Sequence, residues 1–368
     1  PRDQRPTPAQ LVATARRKID ADSAMADTLK ADLLAVLAEV SLANDDTAVA
    51  LELLDRERAL PTFASDPGID RLWEAGLRAD AAIKSDQAEK VEALLAPFEA
   101  EIARRNDPRV IGVLETRVEG LMSTTRHPEA LRIAEQLAQR VPQVTPALGP
   151  ADAIYYTAMP GLTRSLQGDH AGALPLLESA IAQWRAQGLP RDLVYTSILS
   201  ALAISRSGLG AADLGLAELN EVLALRRQIL SGPHEMLISA LRNHAVLMRR
   251  QQKLPEAEQS VREATSMAEA LYGRDHRYAM AARATLALVL GVNASGKRDE
   301  AIAILRELVA TCHRVAEQQD NPGCVTYQHN LGHQLSQRRD FGAASAAFDG
   351  AEAWARRLFG DEHFQVGV

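Results

Sequence analysis

Residues 296–301 read Gly296-Lys297-Arg298-Asp299-Glu300-Ala301, and this stretch decides the fold of the 368-residue chain. A turn residue is followed five positions later by a small residue. The same arrangement begins at seven further turn residues: Asp45, Asp86, Thr125, Gly168, Gly210, Gln252 and Arg339. The small residues five positions after them are, in the same order, Ala50, Val91, Ala130, Ala173, Gly215, Ala257 and Ala344. Neighbouring members of the small-residue column stand 39 to 44 positions apart. Self-similarity at a period near 42 predicts a repeat array and not one central core.

A second column of small residues lies about twelve positions before the first. Its members are Ala38, Ala79, Val118, Gly161, Ala203, Ala245, Ala287 and Gly332. The repeat that contains Ala287 carries two extra residues around Gly291–Ser295, which lengthens the spacing there. Two antiparallel helices approach closely only where one of them presents a small residue. The paired columns therefore predict helical hairpins, each leaving an apolar face that the next hairpin covers.

Composition limits the function classes. The chain is 46% hydrophobic but only 4% aromatic, and its net charge is -7 at pH 7. The scarcity of aromatic and β-branched runs argues against a β-sandwich or barrel. The acidic balance argues against a generally basic nucleic-acid binder, so no nucleic-acid partner is expected. No apolar run reaches the ~18 residues of a membrane span, so we expect membrane association only through a tether outside this chain.

We expect a single domain over residues 1–368. Its parts are an N-terminal half-repeat helix at 1–21, about eight repeats at 22–360, and the start of a further helix at 361–368. Thr7-Pro8 is a helix start signal, with Thr as the N-cap and Pro at the first helical position. The proline-rich stretch 141–150 predicts a long loop or bend. Because the last helix is unfinished, we expect the chain to be a piece of a longer protein.

The segment ahead of one first helix reads Leu271-Tyr272-Gly273-Arg274-Asp275-His276. It resembles the corresponding segment of tetratricopeptide repeats of the kinesin-light-chain-like type. The period is longer than the ~34 residues of the common tetratricopeptide form, which suits that subclass. The resemblance implies an all-α, right-handed superhelical solenoid of about eight hairpins, with an extra N-terminal helix and a truncated C-terminal helix.

Two short motifs resemble catalytic signatures. Gly291–Lys297 reads like a phosphate-binding loop, but Arg298 follows where Ser or Thr is needed, and the segment follows a helix and not a strand. Asp340-Phe341-Gly342 spells the metal-binding tripeptide of protein kinases, but no catalytic-loop motif accompanies it. Both are interpreted as repeat turns. We therefore expect no enzyme activity in this chain and no cofactor.

Two cysteines and three histidines lie close together in sequence: Cys312, His313, Cys324, His329 and His333. His329 and His333 have the i, i+4 spacing of a helical zinc-ligand pair, but no CxxC spacing accompanies them, so no metal is expected. Free packed thiols are the default expectation for the cysteines. A disulfide is the alternative, because the two would lie on adjacent antiparallel helices, and the compartment decides between these states.

In this repeat class the first helices line the concave face. Counting from the small residue places Trp73, Asp80, Ile83, Lys84, Glu115, Glu119, Tyr155 and Leu162 on that face in the first half, and Arg242, Val246, Arg249 and Arg250 later. Asn243 and Asn330 resemble the asparagines with which many such repeats hold a peptide backbone or carboxylate. The candidate ligand-binding residues are Arg242, Asn243, Arg249, Arg250, His329, Asn330 and His333. The alternative for the arginines is that they are simply solvated at a helix end. Trp73 and Tyr155 are interpreted as groove packing and not as ligand contacts.

The N-terminal segment resembles the start of the repeat region in bacterial membrane-anchored serine/threonine kinases. The resemblance rests on Thr7–Asp20, on the apolar pattern from Leu29 to Val40 and on the first turn at Ala50. It implies a periplasmic sensor domain that binds a protein or peptide and signals to a kinase. The alternative is a cytosolic scaffold or a regulatory array on a transcription regulator or signalling ATPase.

Overall fold

The computed structural model of the chain describes residues 7–315 and 321–360. These residues form helices and connecting turns, and no strand occurs among them. The helices are α1 Pro8–Ala21, α2 Asp27–Ala43, α3 Thr47–Arg58, α4 Arg71–Lys84, α5 Val91–Leu95, α6 Glu99–Arg104, α7 Pro108–Ser123, α8 His127–Arg140, α9 Pro150–Leu166, α10 His170–Ala186, α11 Leu193–Gly208, α12 Ala212–Ile229, α13 Glu235–Arg250, α14 Leu254–Tyr272, α15 Arg277–Leu290, α16 Arg298–Val315, α17 Gly323–Gln337 and α18 Phe341–Phe359. The prediction of an all-α array of hairpins is confirmed.

The helices fall into two compact units. The first unit extends to Thr163 and the second begins at Arg164, so the boundary lies inside α9. Within each unit, helices that follow one another in sequence pack side by side, as the repeat pattern requires. Two expectations remain predictions: that the hairpins form a right-handed superhelix, and that the whole chain is a single domain.

The turn residues inside the hairpins share one backbone conformation. All eight that the sequence pattern identifies have a positive φ, between 60° and 93°. They are Asp45, Asp86, Thr125, Gly168, Gly210, Gln252, Gly296 and Arg339. A left-handed residue ends one helix and turns the chain back so that the next helix begins one or two residues later. The recurring turn is therefore the local event that makes each hairpin.

Both small-residue columns are buried, as predicted. The contact between them is clearest at Gly215 of α12, where an added Cβ would collide with the carbonyl oxygen of Ala203 on α11. At Gly332 of α17, an added Cβ would collide with the ring of Phe348 on α18. The backbones thus come together where one helix has no side chain, and a larger residue fills the adjacent space.

The second hairpin departs from the others. Its second helix is broken into α5 and α6 by 3-10 turns at Ala88–Lys90 and Ala96–Phe98, and Pro97 cannot donate a backbone hydrogen bond. Val91 takes the small-residue position here, and Gly120 of α7 provides the room, because a Cβ at Gly120 would collide with the Val91 side chain. The small residue that accommodates Val91 thus lies on the first helix of the next hairpin.

The helix boundaries follow the predicted signals. Thr7 caps α1 by accepting the backbone N–H of Gln10 at 3.2 Å, which confirms the predicted N-terminal helix. His276 of the Leu271–His276 segment begins α15, since its Nδ1 accepts the N–H of Tyr278 at 3.3 Å. Between α8 and α9 lies a 3-10 turn, Val141–Gln143, followed by a non-helical stretch to residue 149, where the sequence predicted a loop. The predicted helix start at 361–368 lies outside the described residues.

The two motifs that resemble catalytic signatures are turns. Asn293–Ser295 forms a short 3-10 turn between α15 and α16, and Asp340 caps α18 by accepting the N–H of Ala343 at 3.4 Å. None of the described helices is both long enough and apolar enough to cross a bilayer.

A disulfide joins Cys312 at the end of α16 to Cys324 in α17. The expectation of free packed thiols was therefore wrong, and the alternative holds, because packing of α16 against α17 of the next hairpin brings the two Cα atoms within 5.9 Å. Sulfur atoms in a disulfide do not serve as thiolate metal ligands. Within the described parts of the chain, no group of three or more His, Cys, Asp or Glu side chains gathers in a way that could hold a metal.

Glu57 is a buried carboxyl in the first unit. It is only 2% exposed, and its Oε2 has no hydrogen-bond partner. Burial, followed by the nearby Glu74 charge, raises the pKa of Glu57 to about 8, although Arg78 opposes the shift. Asp32 and Asp70 add further negative charge around it. The protonated form of Glu57 is thus the one that the folded state favours.

Replacing Gly210 by Ala is expected to lower the free energy of unfolding by about 1–2 kcal/mol, because an L side chain is strained at positive φ. The matched control is Gly112→Ala inside α7, where an added Cβ meets nothing within 4 Å. That change is expected to stabilise the protein by up to ~1 kcal/mol. Denaturant unfolding of both variants measures the difference. Equal effects of the two substitutions would contradict a left-handed requirement at Gly210.

Glu57→Gln is expected to become progressively more stable than the parent protein as pH rises from about 5 to about 8. The folded pKa lies above the unfolded one, so the parent loses stability over this range by up to about 1.4 kcal/mol per pH unit. Urea unfolding at several pH values measures this, with the exposed Glu89→Gln as control. If the Glu57→Gln and parent curves stay parallel, Glu57 does not titrate as proposed.

Candidate functional site

Side chains that the sequence places on the inner surface of the first unit surround one cavity of about 560 Å³. We call it the acidic cavity, and its carboxylates are Glu39, Asp80, Glu115, Glu119 and Asp152. Three of these five were predicted to face inward. They come from α2, α4, α7 and α9, so successive first helices contribute to one surface.

Aromatic and cationic groups complete the acidic cavity. Trp73 and Tyr156 form part of its wall, and its two cations are Lys84 and Arg109. The Arg109 guanidinium lies 3.9 Å from the centre of the Trp73 ring and forms ion pairs with Asp32 and Asp70 at 3.1 and 3.2 Å. Five carboxylates against two cations leave this surface negative.

Glu115 is the most constrained carboxylate of the acidic cavity. The Tyr155 hydroxyl donates to its Oε1 at 2.8 Å. Burial raises the pKa of Glu115, while the hydrogen bonds from Tyr155 and Tyr156 act in the opposite direction. Tyr155 therefore supports the cavity from behind, and the interpretation of this residue as groove packing agrees with its position.

In the second unit, a groove of about 290 Å³ lies across α13, α15 and α17. We call it the basic groove. Its lining residues are Arg249, Leu288, Gly291, Val292, Asn293, Arg298, His333, Gln334 and Gln337. Two of the predicted ligand-binding residues, Arg249 and His333, thus meet on one surface although they are 84 positions apart, because α13 and α17 lie on either side of α15.

The other predicted residues do not line the basic groove. Arg242 is half-buried, and its Nε donates to Thr285 Oγ1 at 3.3 Å; burial lowers its pKa. Asn243 and Asn330 are half-buried, and Arg250 is exposed beside Arg249. His329 is exposed, and its ring makes an edge contact with Phe348 at a centroid distance of 5.5 Å.

Sequence reasoning missed several residues of both surfaces. Glu39 of the acidic cavity comes from α2, none of whose positions was counted, and Tyr156 lies on α9 directly after the predicted Tyr155. In the basic groove, Arg298 lies at the start of α16, the second helix of its hairpin. Gln334 lies at a buried position of α17. One signal pointed to the groove, namely the insertion around Gly291–Ser295, since departures from a repeat period often carry function.

Residues 237–278 match the tetratricopeptide repeat family. No curated protein sequence matches the chain at a significant level. Among solved structures, a Rap protein complexed with Competence and Sporulation Factor is 10% identical, with a TM-score of 0.60 over 89% of this chain and 98% of that chain. A STAND (signal transduction ATPase) protein with a tetratricopeptide repeat sensor from Pyrococcus horikoshii is 15% identical, with a TM-score of 0.54 over 95% of this chain and 51% of that chain.

A protein of the kinesin light chain type with nearly identical repeats, from Podosopora anserina, is 16% identical. Its TM-score is 0.48, over 57% of this chain and 98% of that chain. The turn geometry, the paired small residues and the matched repeat agree with one another, and the fold of this chain is an array of tetratricopeptide-type helical hairpins.

Proposed function

We propose that this chain is a non-catalytic module that binds a protein or peptide. The observation that carries the proposal is that inner positions of different first helices in one unit converge on open, charged surfaces. Asp80 with Glu115 in the acidic cavity and Arg249 with His333 in the basic groove are such pairs. If these side chains only stabilised the fold, the neighbouring hairpin would be expected to cover them. Because they lie open, an extended peptide can contact one side chain from each repeat.

Charge gives each surface a preferred ligand. The acidic cavity suits a basic or aromatic peptide segment, because its walls combine carboxylates with Trp73 and Tyr156. The basic groove suits an acidic segment. The Rap protein of similar fold, complexed with Competence and Sporulation Factor, supports the idea that such an array takes a small partner.

The module serves, in this proposal, as the periplasmic sensor domain of a bacterial membrane-anchored serine/threonine kinase. Support comes from the resemblance of the N-terminal segment and from the Cys312–Cys324 disulfide, since structural disulfides persist in oxidising compartments. The alternative is a cytosolic sensor on a signalling ATPase. The tetratricopeptide repeat sensor of the STAND protein favours it.

Peptide binding is tested by selecting ligands from a displayed random peptide library and measuring their affinity by fluorescence anisotropy. For acidic ligands, the Arg249→Glu/Arg250→Glu variant is expected to bind at least about tenfold more weakly, because each lost charged contact costs on the order of 1.5–3 kcal/mol. Arg227→Glu/Arg262→Glu is the control, since it makes the same change of net charge at two exposed arginines that pair with Glu263 and Glu300. Equal loss in both variants, or none in the first, would argue against the groove.

The compartment is tested on the protein recovered from its native host. If it is periplasmic, its mass without reductant is expected to show the disulfide, and Cys312→Ser/Cys324→Ser should lower the free energy of unfolding by about 2–3 kcal/mol. The residues encoded before Pro1 should then include an apolar span of about 20 residues. Reduced thiols together with a nucleotide-binding domain in that position would favour the cytosolic alternative.

A further inference from the structure

The basic groove has an unusual chemical lining. Among its residues are two arginines, one histidine and three side-chain amides, those of Asn293, Gln334 and Gln337, and none of the lining residues is Asp or Glu. The acidic cavity, in contrast, is lined by side chains of both signs. A concave surface with donors and positive charge alone is suited to an anion.

The charges of the two arginines are not neutralised within the described part of the chain. Arg298 donates to three neutral oxygens, which are the carbonyls of Gln337 at 3.1 Å and Gly291 at 3.4 Å and the side-chain oxygen of Asn293. No carboxylate of a described residue forms an ion pair with Arg298 or Arg249. Burial, together with the adjacent Arg250, lowers the pKa of Arg249. The groove therefore holds two guanidinium groups that form no ion pair with a carboxylate of the described residues.

Other arginines of this unit behave differently. Arg262 reaches Glu300 at 2.7 Å and Glu258 at 2.9 Å, and Arg338 reaches Asp299 at 3.2 Å. The pairs with Glu300 and Asp299 join α14 and the end of α17 to α16 of a neighbouring hairpin. The absence of such partners at Arg249 and Arg298 is thus a property of the groove and not of arginines in this fold.

Three buried polar atoms without a hydrogen-bond partner among the described residues belong to side chains of this groove. The Nε atoms of Arg249 and Arg298 and the Oε1 of Gln334 are buried and make no hydrogen bond to the described residues. Gln334 is only 6% exposed, and its amide can present either its donor or its acceptor after rotation. A buried polar group without a hydrogen-bond partner destabilises the protein. A ligand that forms hydrogen bonds with these atoms removes that cost, which favours its binding.

The backbone makes room for this arrangement. An added Cβ at Gly291 would collide with the Gln334 amide, so a glycine is needed to let the amide reach the groove. The 3-10 turn Asn293–Ser295 then carries Asn293 to the rim. Both features come from the two-residue insertion, which the other repeats lack.

We propose that the basic groove binds a phosphate group, as inorganic phosphate or as a phosphate ester. A phosphate carries about 1.5 to 2 negative charges near neutral pH, which matches two unneutralised guanidinium groups better than a carboxylate does. Its several acceptor oxygens can take hydrogen bonds from Arg249, Arg298 and Gln334 together, with His333 at the rim. The site does not depend on peptide binding and goes beyond the function proposed above.

The test is a calorimetric titration of the whole 368-residue chain with inorganic phosphate, with no peptide present. Saturable binding to one site is expected, and acetate at the same concentrations is expected to bind at least about tenfold more weakly, since it carries one charge. Phosphoserine in a second titration distinguishes the sources: tighter binding than inorganic phosphate supports an ester, and weaker binding supports the free ion. Absence of saturable phosphate binding, or equal binding of acetate, overturns the proposal.

Three variants locate the site. Arg249→Ala and Arg298→Ala are each expected to weaken phosphate binding by about tenfold or more. Gly291→Ala is also expected to weaken phosphate binding, because the added Cβ would displace the Gln334 amide. Arg262→Ala is the control, because it removes an arginine that has carboxylate partners, and its affinity should equal that of the parent. Thermal unfolding checks that each variant is folded. Parent-like phosphate affinity in the folded Arg249→Ala and Gly291→Ala variants would place the ion elsewhere and refute the assignment.

Discussion

The structure depends on one close contact within each hairpin. A residue at positive φ reverses the chain, and five positions later a small residue lets the second helix lie directly against the first. Gly215 against Ala203 is the clearest case. This contact fixes the position of the two helices along each other, and so it decides which face is left for the neighbouring hairpin and which face lies open.

The same constraint explains where the chain departs from its own pattern. Val91 is too large for its column, and Gly120 on α7 of the next hairpin makes room for its side chain. The insertion around Gly291–Ser295 does not alter the contact, because Ala287 and Ala301 remain fully buried. It adds residues in the turn between α15 and α16, and the basic groove lies beside that turn.

Sequence periodicity predicted the fold well because the signal is repeated. A single turn followed by a small residue would carry little weight, but eight of them at one spacing indicate the helix order, the turn positions and the buried columns. The candidate site was predicted only in part. Counting positions identified Asp80, Glu115, Arg249 and His333, but a count along one helix cannot show that Arg298 and Gln334 approach from other elements. The state of Cys312 and Cys324 was open for the same reason, since it depends on a distance between two helices.

By itself, the sequence determined the repeat, the hairpin turns and the residues that must be small, because these follow from local backbone geometry and from steric limits that recur with each period. Tertiary structure alone decided which charged side chains share a surface and which lack a partner. Arg262 and Arg249 are both arginines on repeat helices, yet Arg262 pairs with two carboxylates, whereas Arg249 pairs with none among the residues that the structure describes. Packing sets that difference, because electrostatic balance depends on distances between helices that no single repeat encodes.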